Sequence, residues 1–272
     1  MIRILCTAIH DADSKPSRCN TVLVASIADH ILRATCKVNL MSKIIFYLHA
    51  RSGQPQALLT AAMELTADNR LNNDGIHMAV MRPRSEDLLA APANSNFLAK
   101  LDLVVEIVLP PGQPIKALQS KLYEATSLML DLADRKQSFL VFGYQRTFQE
   151  SGQKVLRYHY LMFRRPDYSR ADYLDYYVHS HYRFGIATPL ADYYQNYLDT
   201  EGGRELAALL RLNLFDADNI SELRFGCLED YLCSDAIREI APQAAADEEL
   251  FVDRNRCQSF SMDVLLDSRL YH

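Results

Sequence analysis

The chain has 272 residues, 49% of them hydrophobic and 23% charged, which is enough to bury one large core or two modest ones. A net charge of -5 with scattered lysines and arginines offers no basic stripe to a phosphate backbone, which argues against nucleic acid as a partner. No apolar run reaches the roughly 20 residues that carry a helix across a bilayer: residues 22–27 are followed at once by Asp29 and His30.

The six cysteines, Cys6, Cys19, Cys36, Cys227, Cys233 and Cys257, form no C-x-x-C pair and read as reduced thiols of a cytoplasmic protein. The zinc-protease, nucleophile-elbow, P-loop and dinucleotide motifs are all absent, so architecture has to carry the reading.

In chain order, residues 1–40 are broken by Asp11, Asp13, Ser14, Lys15 and Pro16 and lack the order of a signal peptide. They are expected to be a disordered extension, or an overlong start with Met41 as the natural initiator. A strand then covers Ile44, Ile45, Phe46, Tyr47 and Leu48, and residues 56–71 set Leu58, Leu59, Ala62, Met63 and Leu65 at helical spacing. Residues 76–81 and 101–109 read as strands closed by prolines, residues 114–133 as a long amphipathic helix, and 138–148 as a fourth strand.

The order then repeats. Residues 154–163 form a strand, Ser169 and Asp172 make a capping-box start to a helix over 169–183, and strands follow at 193–198 and 220–225. Helical segments at 228–237 and 241–251 lead into a last strand at 257–266. Glu106 within Val105-Glu106-Ile107 corresponds to Glu222 within Ser221-Glu222-Leu223. The expected fold is α+β, with two tandem ferredoxin-like βαββαβ units spanning 41–150 and 151–272. Helices cover one face of each antiparallel sheet, so the two sheets are expected to close on each other as a barrel inside one chain.

The second unit, over residues 154–266, resembles the EthD family. The residues that carry the likeness are Arg164-Arg165-Pro166, Ser169-Arg170-Ala171-Asp172-Tyr173, Tyr176-Tyr177-Val178-His179-Ser180-His181, Tyr194-Gln195-Asn196-Tyr197, Leu228-Glu229-Asp230-Tyr231 and Asp247-Glu248-Glu249-Leu250-Phe251. The family usually follows the helical histidine with Gly-Pro, whereas His181 precedes Tyr182 and Arg183. The first unit resembles the more divergent leading unit of tandem EthD proteins. The resemblance implies the dimeric α/β-barrel superfamily, which includes small monooxygenases, isomerases, polyketide cyclases, decarboxylases and haem enzymes.

On helix 169–183, Tyr173, Leu174, Tyr177, Val178 and His181 share a buried face. His179 lies about 200° away from His181, so the pair cannot chelate one metal. His181 is a candidate proton carrier, its alternative a satisfied core histidine. Strand alternation puts Arg157, His159, Glu222 and Arg224 inside the barrel if the apolar faces meet the helices. These groups suit a base beside cations that stabilise an enolate or carboxylate; the alternative is an ion-pair network between the sheets. Candidate catalytic residues are thus His181, His159 and Glu222, and candidate substrate-binding residues are Arg157, Tyr177, Arg224 and Asn196, with no metal expected. In the first unit the same alternation groups Tyr47 with His49 and sets Glu106 apart from its apolar neighbours.

The function expected is that of an EthD-like enzyme, an oxidoreductase or lyase, acting on an apolar or aromatic, polyketide-like carbonyl substrate. The chemistry would be cofactor-independent proton transfer, decarboxylation or oxygenation, in a monomeric barrel or a homodimer. Two alternatives stay open: a non-catalytic ligand-binding or accessory protein of an oxidoreductase system, and haem-dependent oxidation with His181 or His159 as axial ligand.

Overall fold

The computed structural model describes residues 40–68, 71, 74–85, 89, 101–152 and 154–270. The expectation for the N-terminal extension lies outside the described residues.

The first half contributes β1 (Met41–Leu48), α1 (Pro55–Thr66), β2 (His77–Pro83), β3 (Leu103–Val108), α2 (Ile115–Leu132) and β4 (Phe139–Gln149). Pro55 occupies the first turn of α1, where its missing N–H costs nothing. The second half contributes β5 (Leu156–Met162) and α3 (Arg170–Tyr176), which passes through a π turn (Tyr177–His181) into α4 (Tyr182–Ile186). Next come β6 (Ala191–Leu198), α5 (Thr200–Leu210), β7 (Asn213–Leu214), β8 (Asn219–Phe225), α6 (Leu228–Cys233), α7 (Asp235–Phe251) and β9 (Gln258–Asp267). The capping box is present: Ser169 accepts from the Asp172 backbone N–H and donates to the Asp172 carboxylate at 2.6 Å.

The strands pair in the order β2-β3-β1-β4 in the first half and β9-β5-β8-β6 in the second, and β2–β9 and β4–β6 join the two sets. Every one of these pairings is antiparallel, so eight strands close into a barrel within one chain. The fold is that of the dimeric α/β barrel, and the second sheet covers the face that helices leave bare. The β4–β6 seam needs a glycine, because a Cβ on Gly143 would lie 2.2 Å from the Tyr197 carbonyl oxygen. Gly143→Ala is expected to lose about 1–3 kcal/mol, as an overpacked core does, and its urea midpoint checks this.

Outside the barrel, Ile44, Phe46, Val80, Val105, Ile107 and Phe142 pack under Leu58, Ala62, Leu118, Leu122 and Met129. Leu206 and Leu210 belong to the same core, so α5 of the second half covers β4 of the first. The sequence reading has no element at α5. Gly202 and Gly203 look like breakers, but the Asp199 carboxylate caps the Gly202 N–H at 3.0 Å, and a Cβ on Gly202 would meet the Phe142 ring at 2.9 Å, so the helix starts here with its glycine close against β4.

Candidate functional site

Residues paired across an antiparallel ladder share a face. The faces turned from the helices therefore bring Lys43, Ile45 and Tyr47 (β1), Glu106 (β3), Phe139 and Gln145 (β4), and Arg157 and His159 (β5) into the barrel interior. Tyr194 and Asn196 (β6), Glu222 and Arg224 (β8) and Phe260 (β9) join them. The charged members are no more than 3% exposed.

Register relates the halves. Ile45 faces Glu106 as His159 faces Glu222, which makes Lys43 the counterpart of Arg157 and Val108 that of Arg224. Each first-strand cation reaches the other half's carboxylate: Arg157 donates to Glu106, and Lys43 Nζ lies 2.6 Å from Glu222 Oε2. Lys43 Nζ is also 2.8 Å from Glu106 Oε1, while Arg157 donates a second bond to Asp267. Asp267 holds Arg269 as well, at 2.7 Å. His159 and Arg224 break this symmetry. Arg224 Nε donates to Glu222 Oε1 at 2.7 Å and its guanidinium lies 3.8 Å from the Tyr194 ring centroid; Asn196 Nδ2 donates to Glu222 Oε2 at 3.2 Å.

Burial holds the Tyr47 phenol well above its usual range, so it keeps its proton, and its oxygen shares a hydrogen bond of 3.0 Å with His159 Nδ1. The other ring nitrogen, Nε2, lies 3.0 Å from Glu106 Oε1 but off hydrogen-bond alignment. Burial, reinforced by Lys43, Arg157 and Arg224 against the pull of Glu222, pushes His159 down to about 3. It is neutral near pH 7 and serves as a hydrogen-bonding group, too weak a base to collect protons there. Burial alone would raise Glu222, but Arg224, Lys43, His159 and Arg157 outweigh it and hold the carboxyl well below its usual range. Burial pushes Lys43 down to about 7 although Glu222 opposes this, which poises its amine near neutrality.

Several fully buried polar atoms in this interior have no hydrogen-bond partner: both amide atoms of Gln145, Arg157 Nε, Asn196 Oδ1 and Arg224 Nη2. Beside this polar half lies an aromatic one, where Tyr47 stacks on Phe139 at 4.8 Å and meets Phe260 edge-on at 5.8 Å.

The candidates from the sequence therefore divide. His159, Glu222, Arg157, Arg224 and Asn196 converge in the barrel, joined by Lys43, Glu106 and Tyr47. His181 and Tyr177 do not: they lie outside the strands, with their rings stacked at 5.8 Å and His181 Nδ1 2.8 Å from Asp247 Oδ2. Asp247 also accepts from Tyr176 at 2.9 Å and Arg183 at 3.0 Å, and Phe251 packs on His181 at 5.2 Å. Burial lowers His181 despite Asp247, and burial raises neighbouring Glu248 to about 7. His181→Ala is expected to cost about 1–3 kcal/mol through Asp247 Oδ2, which loses its partner while Oδ1 keeps Tyr176 and Arg183, and to leave any ligand in the barrel untouched. A thermal melt run beside a binding titration checks both halves of that statement. His179 is turned outward, its side chain 48% exposed and 3.7 Å from Asp175.

Lys43 is the residue that sequence reasoning missed. Its signal was available, since Lys43 is the one charge alternating with Ile45 and Tyr47 on the barrel face of β1, but a lysine at a strand start reads as solvated.

Glu106, His159 and Glu222 place one ligand atom each within 4.8 Å of one another, but Lys43 Nζ already lies 2.8 Å from Glu106 Oε1 and 2.6 Å from Glu222 Oε2. A haem would need a free imidazole nitrogen beside room for a porphyrin. His159 has Tyr47 on one nitrogen and Glu106 3.0 Å from the other. His181 offers Nε2 only 4.0 Å from Glu248, beneath the fully buried Phe251 ring. These residues do not fit the group as they stand. Among the described residues no helix is long and apolar enough to cross a membrane, and Cys227, Cys233 and Cys257 are free thiols.

No protein-family model matches the chain, and no curated protein matches it. Solved structures do. An anthrone oxidase-like protein aligns with a TM-score of 0.53 at 10% identity, covering 85% of this chain and 93% of its own. A putative chlorite dismutase aligns at 0.50 and 9% identity, covering 84% and 96%. A putative monooxygenase from Lactobacillus acidophilus NCFM aligns at 0.49 and 8% identity, covering 85% and 94%. The first two likenesses place the chain among dimeric α/β-barrel folds, and at such identities they speak for the fold alone.

Proposed function

We propose that the chain is an EthD-like, cofactor-independent enzyme that moves a proton at an apolar or aromatic carbonyl substrate held inside the barrel. The observation that carries this reading is the set of unpartnered buried polar atoms on Gln145, Arg157, Asn196 and Arg224. A pure ion-pair core would satisfy its own donors, whereas a small polar molecule can meet these, and several of them are N–H donors suited to a carbonyl or enolate oxygen.

Lys43 is the group able to take a proton near pH 7. Arg157 and Arg224 stabilise the charge that develops on oxygen, while His159, Asn196 and Glu222 hold the array in place. Tyr47, Phe139 and Phe260 supply the apolar wall. Loss of a proton beside a carbonyl gives an enolate, which isomerisation and cofactor-free oxygenation share as a first intermediate; decarboxylation reaches the same enolate by losing CO2. Anthrones are aromatic ketones of this class, and an anthrone oxidase-like protein has this fold. The small-molecule oxidative setting, a cytoplasmic location and the domain boundaries near 40 and 150 belong to the same reading.

The test is deuterium incorporation. In D2O, NMR with a panel of aromatic and 1,3-dicarbonyl compounds should show α-deuteration catalysed by the folded protein. Binding without deuteration would assign the chain to ligand carriage instead. Neither binding nor deuteration across the panel would leave the barrel interior an ion-pair core.

A further inference from the structure

We infer that Lys43 acts covalently, its amine forming an imine with the ketone of a 3-oxo carboxylic acid while the guanidinium groups of Arg157 and Arg224 receive the acid's carboxylate. This deepens the proposed function and rests on it.

Open donors come first. Arg157 Nε and Arg224 Nη2 are fully buried without a hydrogen-bond partner, although each guanidinium also holds a carboxylate. Guanidinium groups keep their protons, so these N–H groups are fixed donors for a further carboxylate. Lys43 lies one carboxylate away from each of them, through Glu106 to Arg157 and through Glu222 to Arg224. A 3-oxo acid matches this arrangement: its carboxylate meets the guanidinium donors, and its ketone takes the amine.

Lys43 is also a redundant partner for both carboxylates. If Lys43 becomes a neutral amine, Glu222 keeps Arg224 at 2.7 Å and Asn196 at 3.2 Å, and Glu106 keeps Arg157 on Oε2. Neither carboxylate is stranded. Glu106 Oε1, 2.8 Å from Nζ and without an aligned donor, is placed to shuttle the proton. Burial that favours a neutral lysine is what makes its amine nucleophilic.

The steps balance. The Nζ lone pair forms a C–N bond to the ketone carbon; the former carbonyl oxygen takes one proton from nitrogen and a second from solvent by way of Glu106, and its C–O bond breaks to release water and leave a protonated imine. The C–C bond to the carboxylate then breaks, its electron pair flows to the iminium nitrogen, and CO2 departs. The resulting enamine takes a proton on carbon, and water hydrolyses the imine to restore Lys43 and give the shortened ketone. No oxidant or reductant takes part.

Acetoacetate and borohydride test this on the full chain. With both present, Lys43 should acquire one isopropyl group per chain, mapped by peptide mass spectrometry, and decarboxylation should stop; borohydride alone should do neither. Because the label is read on wild-type protein, the outcome does not depend on whether a variant folds. If the protein releases CO2 or exchanges α-protons while Lys43 stays unlabelled, the imine is wrong and the proton-transfer reading survives. If there is no label, no CO2 and no exchange with any carbonyl compound, both fall.

Discussion

Lys43→Met should lower α-deuteration by about 10²–10⁴-fold, the span that a positioned acid–base group contributes, while shifting stability by no more than about 1 kcal/mol. The two expectations have the same structural cause. Methionine fills the lysine stem, and the carboxylates that Lys43 touches keep Arg157, Arg224 and Asn196 as partners. Replacing a buried charge by an apolar side chain of similar shape is commonly neutral when no opposite charge is left alone. In the wild type the rate should rise with pH through about 7, because burial sets the amine there and the neutral form is the active one. Around that amine, Glu106 and Glu222 favour the proton, whereas Arg157 and Arg224 oppose it, and His159 is neutral in this range. Stability should move the same way. Between about 7 in the folded chain and 10.5 in the unfolded chain, the unfolded state binds more protons, so folding stability rises with pH across that window. Urea midpoints at several pH values should show the rise in wild type and a weaker one in Lys43→Met.

Arg157→Met should do the opposite, with stability lost first. Arg157 is among the largest fully buried side chains, and it bonds Glu106 across the barrel and Asp267 on β9. Removing it leaves Glu106 with Lys43 at 2.8 Å and His159 at 3.0 Å, neither of them aligned, in a site that is 1% exposed. Breaking a buried pair by deleting one partner costs about 3–5 kcal/mol, a large share of a domain's stability. Urea denaturation of Arg157→Met beside Lys43→Met checks the contrast, and similar losses in the two would mean that Lys43 is a structural partner like Arg157.

Much of the fold was legible because its signals are periodic. Alternation along residues 154–163 and 220–225 put Arg157, His159, Glu222 and Arg224 on one face, and the pairing of β5 with β8 keeps them there. The repeated element order implied closure within one chain, which the β2–β9 and β4–β6 pairings accomplish. What was not legible depended on distance in space. Helical spacing gives His181 a buried face but not what covers it, and the cover is Asp247 and Phe251 on α7. The π turn at Tyr177–His181 has no pattern of its own in the sequence. Lys43 and Glu222 lie 179 positions apart and meet only once the barrel has closed, so no local spacing links them.

The central claim, that small carbonyl compounds enter the barrel and meet a neutral Lys43, is tested most directly by reductive methylation with 13C-formaldehyde and cyanoborohydride on the folded chain. The account predicts a Lys43 dimethylamine resonance that titrates near 7, well below the 10.5 of an unperturbed lysine. A Lys43 that stays unmodified while the protein remains folded, or that titrates with the surface lysines, would contradict it.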